Sequence, residues 1–355
     1  MATRRKFLAG VGALATVPSI SWSAVGHPVA VSGARLPDGT DALVGIDAHG
    51  SLTFQLPLTA RAHAGAAHPT KAEAVVIARR PGTFAKVLDC GTGQILHSLT
   101  APKDRHFYGH AAFSSDGTLL FTTENEMATG AGRIGVWDRS SGYLRIDEIA
   151  SGGIGPHEIL RLPSGDLAVA NGGIRTHPDS GREKLNLDTM RPNLTILSPS
   201  GTIADQAEPP TDQHQNSLRH IAAAPDGTVI CGFQWQGDPF DAPPLISLWR
   251  AGQGLVAASI TPETNRMLKG YIGSVSALGA TGFAASAPRG ARVITFDTEG
   301  LETNRDCAED VCGLAMGAIP IVSDGMGRIH TLRNARLHTL ATHQLAFDNH
   351  LVPIL

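Results

Sequence analysis

The stretch Gly109-His110-Ala-Ala-Phe-Ser-Ser-Asp116-Gly117-Thr-Leu-Leu-Phe-Thr-Thr joins a histidine, a few mostly small or apolar residues, a glycine turn and a strand. It returns as Pro156-His157-Glu-Ile-Leu-Arg-Leu-Pro-Ser-Gly165-Asp-Leu-Ala-Val-Ala and as Arg219-His220-Ile-Ala-Ala-Ala-Pro-Asp-Gly227-Thr-Val-Ile-Cys. Such a unit cannot bury its apolar face alone, so its recurrence identifies a repeat protein whose copies stack on one another.

A second phrase interleaves with the first: an apolar strand, a tight turn and another strand. Its turn glycines are Gly50, Gly93, Gly142, Gly201, Gly254 and Gly300, spaced 43 to 59 residues apart. Glycine supplies the positive backbone angle a hairpin turn needs, and the spacing matches a four-stranded propeller blade with loop insertions. A seventh hairpin around Gly327 to Leu340 lacks the turn glycine. The expected fold is an all-β, seven-bladed propeller, a single domain over residues 24–355. The C-terminal Asp348-Asn349-His350-Leu-Val-Pro is left over by this count. It is expected to join the first blade and remove the open sheet edges of a linear array.

Composition agrees. The 355 residues include 40 Gly and 22 Pro but only 5% aromatics, suited to many short strands and turns. With 29 basic and 32 acidic residues and no basic run beyond the N-terminus, no nucleic-acid footprint is present. Residues 1–23 read as a signal peptide of the twin-arginine (Tat) type. Arg4-Arg5-Lys6-Phe7-Leu8 precedes a mildly apolar stretch, and Ser21 and Ser23 are small enough for cleavage. No later run is long enough to span a membrane, so the expected location is the periplasm, with the Tat translocase as export partner. Cys307 and Cys312 have a spacing open to a disulfide or to two free thiols; Cys90 and Cys231 read as small buried hydrophobes.

Function is sought where the first phrase repeats. His63, His110, His157, His220 and His350 lead five inner strands; the other two blades carry Gly273-Ser274 and Cys312-Gly313 there. Inner-strand entries converge on one mouth of a propeller channel, so five imidazoles are expected at one axis. Neutral imidazole ligates copper, iron, nickel or zinc, and Glu124, Glu126 and Glu158 could add oxygen donors or fix ring tautomers. Arg80, Asn171, Arg219 and Trp235 lie at the same level and are read as ligand-binding residues. Arg80, Arg175, Arg219 and Arg289 could alternatively hold a carboxylate or phosphate. The polar insertion at residues 174–192 is a candidate lid. His97, His330 and His338 fall in outer-strand phrases and are expected at the surface. The competing reading of any one histidine is structural: Gly109-His110 with Trp137-Asp138 resembles one WD repeat, whose histidine bonds within its blade. Only this blade shows both dipeptides.

Together, the twin-arginine start, Arg61-Ala-His63, His68-Pro69, Arg79-Arg80-Pro81-Gly82-Thr83, Gly109-His110, Glu124-Asn125-Glu126, Gly155-Pro156-His157-Glu158, Asn171-Gly172-Gly173 and Ser217-Leu218-Arg219-His220 resemble a domain-of-unknown-function family of Tat-exported, seven-bladed bacterial propellers. The resemblance covers essentially the whole mature chain and implies the fold and compartment but no activity. Members tend to be encoded beside imelysin-like proteins linked to iron uptake, which points to iron and to periplasmic iron-uptake or redox partners. A looser similarity is to nitrous oxide reductase, a propeller whose axial histidines hold a copper cluster. This chain lacks that enzyme's cupredoxin domain, so only the principle of axial imidazoles binding metal carries over. The readings are thus a metal-binding protein holding iron or copper, a metal-dependent oxidoreductase or hydrolase working at His157-Glu158, or a protein-interaction platform. No phosphate-binding glycine loop or serine nucleophile elbow is present.

Overall fold

In the computed structural model the two repeated phrases become two antiparallel hairpins, and pairs of hairpins assemble into seven four-stranded sheets. The structure describes residues 20–78, 84–181, 183–315 and 319–354. The stretch read as a signal peptide lies outside them as far as residue 19, and so does Arg80. Residues from Trp22 onward pack on the second blade: Trp22 is buried, and its indole N–H donates to the His68 carbonyl at 2.7 Å.

The turn between the two outer strands is held by an aspartate as well as by glycine. Asp47 accepts the N–H groups of His49 and Ser51 at 2.8 Å each, and Asp297 those of Glu299 and Leu301 at 2.9 Å. In the seventh blade Asn334 and Ala335 take the left-handed conformation (φ 49° and 60°), so asparagine opens that turn in place of glycine.

The inner strands, in blade order, are Ala346–Pro353, Ala62–Ala67, Arg105–Phe113, Pro156–Arg161, Asn216–Ala223, Ser274–Ala277 and Val311–Ala315. Blade 1 therefore draws its inner strand from the end of the chain and the other three from its beginning. Ala30 pairs with Pro353 and Ala34 with Phe347, closing the ring as the leftover strand required. Arg61 clamps the joint from blade 2 with a two-pronged ion pair to Asp348, 2.7 and 2.8 Å. Small and branched apolar side chains fill the spaces between blades, such as Val75, Ile77, Phe107 and Leu120 between blades 2 and 3.

One expectation needs correction, and one open alternative is decided. His330 is buried, not at the surface. Its Nε2 lies 3.1 Å from Asp324 and its Nδ1 3.0 Å from the Thr339 hydroxyl, because the third strand of its blade is covered on both faces. No disulfide joins Cys307, which is exposed, to Cys312, which is buried, and Arg292 donates to the Cys307 sulfur at 2.7 Å.

Candidate functional site

Six of the seven inner strands break register with their neighbour, and all five histidines sit at or beside these breaks. His63 is the extra residue between Ala62 and Ala64, and His157 the one between Pro156 and Glu158. His110 lies within a break between Phe107 and Ala111, His220 follows one at Arg219, and His350 lies within one between Phe347 and Leu351. A bulge re-aims the side chains beside it. Here the bulges turn alternating strand positions onto the axis. The remaining two blades contribute no ring: Ser274 lies in a regular ladder, and the break at Cys312-Gly313 leaves Cys312 against Gly273.

The five rings meet. Centroids of His63, His110 and His350 lie 4.9–5.1 Å apart, His157 is 5.0 Å from both His110 and His220, and His220 is 5.0 Å from His350. One nitrogen each from His63, His110 and His350 falls within 4.8 Å of the other two. Room for this comes from Gly109, at φ +116°: a Cβ built there would stand 2.2 Å from Cδ2 of His63. His110 thus reaches the axis rather than bonding within a WD-type blade. Trp137 instead donates to the Thr122 hydroxyl.

A hydrogen bond fixes one of the tautomers. Nδ1 of His157 lies 3.0 Å from the Arg219 carbonyl, which can only accept, so Nδ1 carries the proton and Nε2 keeps its lone pair. Oε2 of Glu158 accepts the Ile221 N–H at 3.1 Å and lies 3.2 Å from Nδ1 of His220. Oε1 lies 3.7 Å from Nδ1 of His110, whose Nε2 is buried with no hydrogen-bond partner among the described residues. Glu158 is the acid expected to orient the rings; burial pushes its carboxyl up to about 7, against the pull of His350 and the Ile221 N–H. Burial, then the neighbouring imidazoles, holds His110 well below the histidine range. Burial and Arg219 do the same for His157 and push His220 down to about 3. His110, His157 and His220 are therefore neutral at pH 7, the state in which imidazole ligates metal.

The cluster is a septum between two cavities. On the channel side about 280 Å³ is lined by Ala64, Ala66, Ser274, Ser276 and other small inner-strand residues with His110 and Glu158. On the mouth side about 390 Å³ is bounded by His63, His157, His220 and His350 below and by Lys184, Arg219, Gln234, Trp235, Gln236, Tyr271 and Arg289 around. Arg219 and Trp235 stand where the sequence places them. Lys184 was not foreseen; it comes from the insertion at residues 174–192, which reaches blade 5 through a 2.5 Å bond from its ammonium to Gln236. Desolvation, then the charges of Arg219 and Arg289, lowers the Lys184 pKa.

Other expected members stand elsewhere. Glu124 is fully buried inside blade 3, accepting from Thr122 at 2.8 Å and Arg145 at 2.6 Å. Glu126 pairs with Arg105 at 3.1 Å and with Thr129. Strand alternation turns both away from the axis, where a motif read as consecutive letters cannot show it. Asn171 is a bridge between blades, bonded to Ser151 at 2.7 and 2.8 Å and to Asn193 at 2.9 Å. Arg175 is spent on the Ala128 carbonyl at 2.8 Å.

His68, which follows His63 in sequence, is structural. Its Nδ1 accepts the N–H groups of Thr70 and Lys71 at 3.1 Å each, and burial, then Arg139, lowers its pKa to about 4. The unfolded chain binds this proton near pH 6.5. His68 therefore contributes stability fully above pH 6.5 and loses it as pH falls towards 4, by about 3 kcal/mol at most. His68→Asn keeps an acceptor for both amides but does not titrate. Urea midpoints between pH 6.5 and 4 will fall less steeply for this variant than for the parent chain; equal slopes would refute the assignment.

A family model described as a protein of unknown function, DUF1513, matches residues 56–354. The chain belongs to the DUF1513 family. No curated protein matches the sequence. Among solved structures, this DUF1513 propeller is similar to virginiamycin B lyase from Staphylococcus aureus, with a TM-score of 0.56 and 13% identity over 80% of this chain and 84% of that one. At that identity the likeness concerns the propeller fold alone.

Proposed function

We propose that this DUF1513 propeller binds a transition-metal ion at the axial histidine cluster, with His63, His110 and His350 as donors and His157 and His220 completing or exchanging with them. The observation that carries this reading is the convergence of five imidazoles, four of them buried, with neighbouring ring centroids 4.9–5.4 Å apart. Fully structural histidines bond to their own surroundings, as His68 and His330 do. At the axis, one nitrogen each from His63, His110 and His350 falls within 4.8 Å of the other two, an arrangement that a cation stabilises. Donors of a four-coordinate ion with bonds of 2.0–2.1 Å lie about 3.4 Å apart, so rotation of the rings must close the present spacing. An imidazole set without thiolate suits copper or iron, with copper ahead in intrinsic affinity.

The twin-arginine leader supports export of the folded chain to the periplasm, where the metal is met or delivered; among described residues no helix is long and apolar enough to cross a membrane. Elemental analysis of purified protein after incubation with Cu(I), Cu(II) or Fe(II) and desalting tests the reading. One ion retained per chain is expected, and sub-stoichiometric retention of every ion would refute it.

A further inference from the structure

The cavity above the cluster has a charge pattern that metal ligation does not explain. Three cationic side chains, Lys184 from the blade 4 insertion, Arg219 from the inner strand of blade 5 and Arg289 from blade 6, line one space of about 390 Å³, and no aspartate or glutamate is among its described lining residues. Neither Lys184 nor Arg289 forms an ion pair among the described residues, whereas arginines elsewhere, such as Arg61, Arg105, Arg139 and Arg145, have carboxylate partners. Gathering like charges without counter-charge costs free energy unless an anion offsets it.

The cationic and polar groups are also held in place before any ligand arrives. Arg289 stacks on Tyr271 with its guanidinium carbon 4.3 Å from the ring centre. Gln234 donates to the Ile272 carbonyl at 3.0 Å, Gln236 donates to the Gln234 carbonyl at 2.8 Å, and Gln236 accepts from Lys184. Trp235 is fixed by its indole N–H on the Asp238 carbonyl at 2.8 Å. Two guanidinium forks and an ammonium at separate points of the wall match an anion with several oxygen pairs. The Trp235 and Tyr271 rings between them offer apolar surface for a carbon skeleton.

We propose that this mouth cavity binds a small di- or tricarboxylate, seated between Lys184, Arg219 and Arg289. This deepens the metal reading in one respect: a carboxylate held there lies directly over His63, His157, His220 and His350 and supplies an oxygen donor to the ion below. The anion site itself requires only the cations.

Calorimetry with tricarballylate, a tricarboxylate that chelates metals weakly, tests the site at 150 mM salt, where surface charges are screened over about 8 Å. Metal-free protein is expected to bind it, and Lys184→Gln with Arg289→Gln to weaken binding at least about 100-fold, since hydrogen bonds to charged groups are worth about tenfold or more each. Both residues lie at the rim outside the sheets, so the double variant should keep the parent's circular dichroism. Loading with metal is expected to tighten binding further. Equal affinity of parent and double variant, equal binding of the uncharged trimethyl ester, or tighter binding of pyrophosphate would overturn the proposal. Binding that depends on Lys184 and Arg289 in a protein that never retains metal would uphold the anion site and remove the metal reading. Metal retention without tricarballylate binding would do the reverse.

Discussion

Alanine at both His110 and His350 is expected to lower metal affinity at least about 100-fold, more than the loss of an outer-shell partner, which alone costs about 10- to 100-fold. These two rings and His63 have nitrogens within 4.8 Å of one another, and they come from blades 3, 1 and 2, so no local rearrangement replaces them. The metal-free double variant should unfold below the parent's midpoint, since two buried rings are removed. What disappears is the rise in unfolding temperature on adding metal, because an ion stabilises a fold only in proportion to its affinity for it. The measurement is the thermal midpoint against metal concentration for parent, double variant and His330→Ala. The last removes a buried histidine that serves its own blade, so it should lower the midpoint without abolishing the metal response. An undiminished response in the double variant would show that the ion sits elsewhere.

The second large effect falls on a residue that touches no ligand. Gly109→Ala is expected to destabilise the chain by about 2–5 kcal/mol, combining backbone strain at φ +116° with overpacking of the axis. The added methyl would meet Cδ2 of His63 at 2.2 Å, and that ring is hemmed in by His110, His157 and His350. Relief requires His63 to leave the cluster, so metal affinity falls with stability. Gly117→Ala is the informative contrast. It also has a positive φ, but its methyl would press on His68 from the turn that follows the inner strand of blade 3, away from the axis. It should cost stability while leaving the metal response in place. Urea unfolding and metal titration of both variants decide this, and a Gly109→Ala protein with parental affinity would remove the crowding argument.

Much of this architecture is legible in the residues. The glycine turns and the surplus C-terminal strand carry the blade count and the closure, because hairpin geometry is a local property. The histidines are legible too, since a residue recurring at one point of a repeat must recur at one level of a propeller. Hidden from the sequence were the bulges, which depend on pairing with the next strand and decide which neighbour of each histidine faces the axis. Hence Glu158 is at the cluster while Glu124 and Glu126 are turned into blade 3. Asn171 was misplaced for a similar reason: its partners Ser151 and Asn193 lie some twenty residues to either side, and only the packed blades bring them together. Lys184 was hidden differently. An insertion's side chains reach a site only through the path of the loop, and nothing in the polar composition of residues 174–192 marks one lysine as the one that crosses to Gln236.

The claim on which the account turns is that imidazoles from several blades meet at the axis to hold one ion. X-ray absorption at the metal edge of loaded, desalted protein addresses it most directly. The account predicts a first shell with at least three nitrogen scatterers at about 2.0 Å and the outer-shell pattern of imidazole rings, reduced in the His110→Ala, His350→Ala variant. A first shell of oxygen or sulfur without imidazole scattering would contradict it.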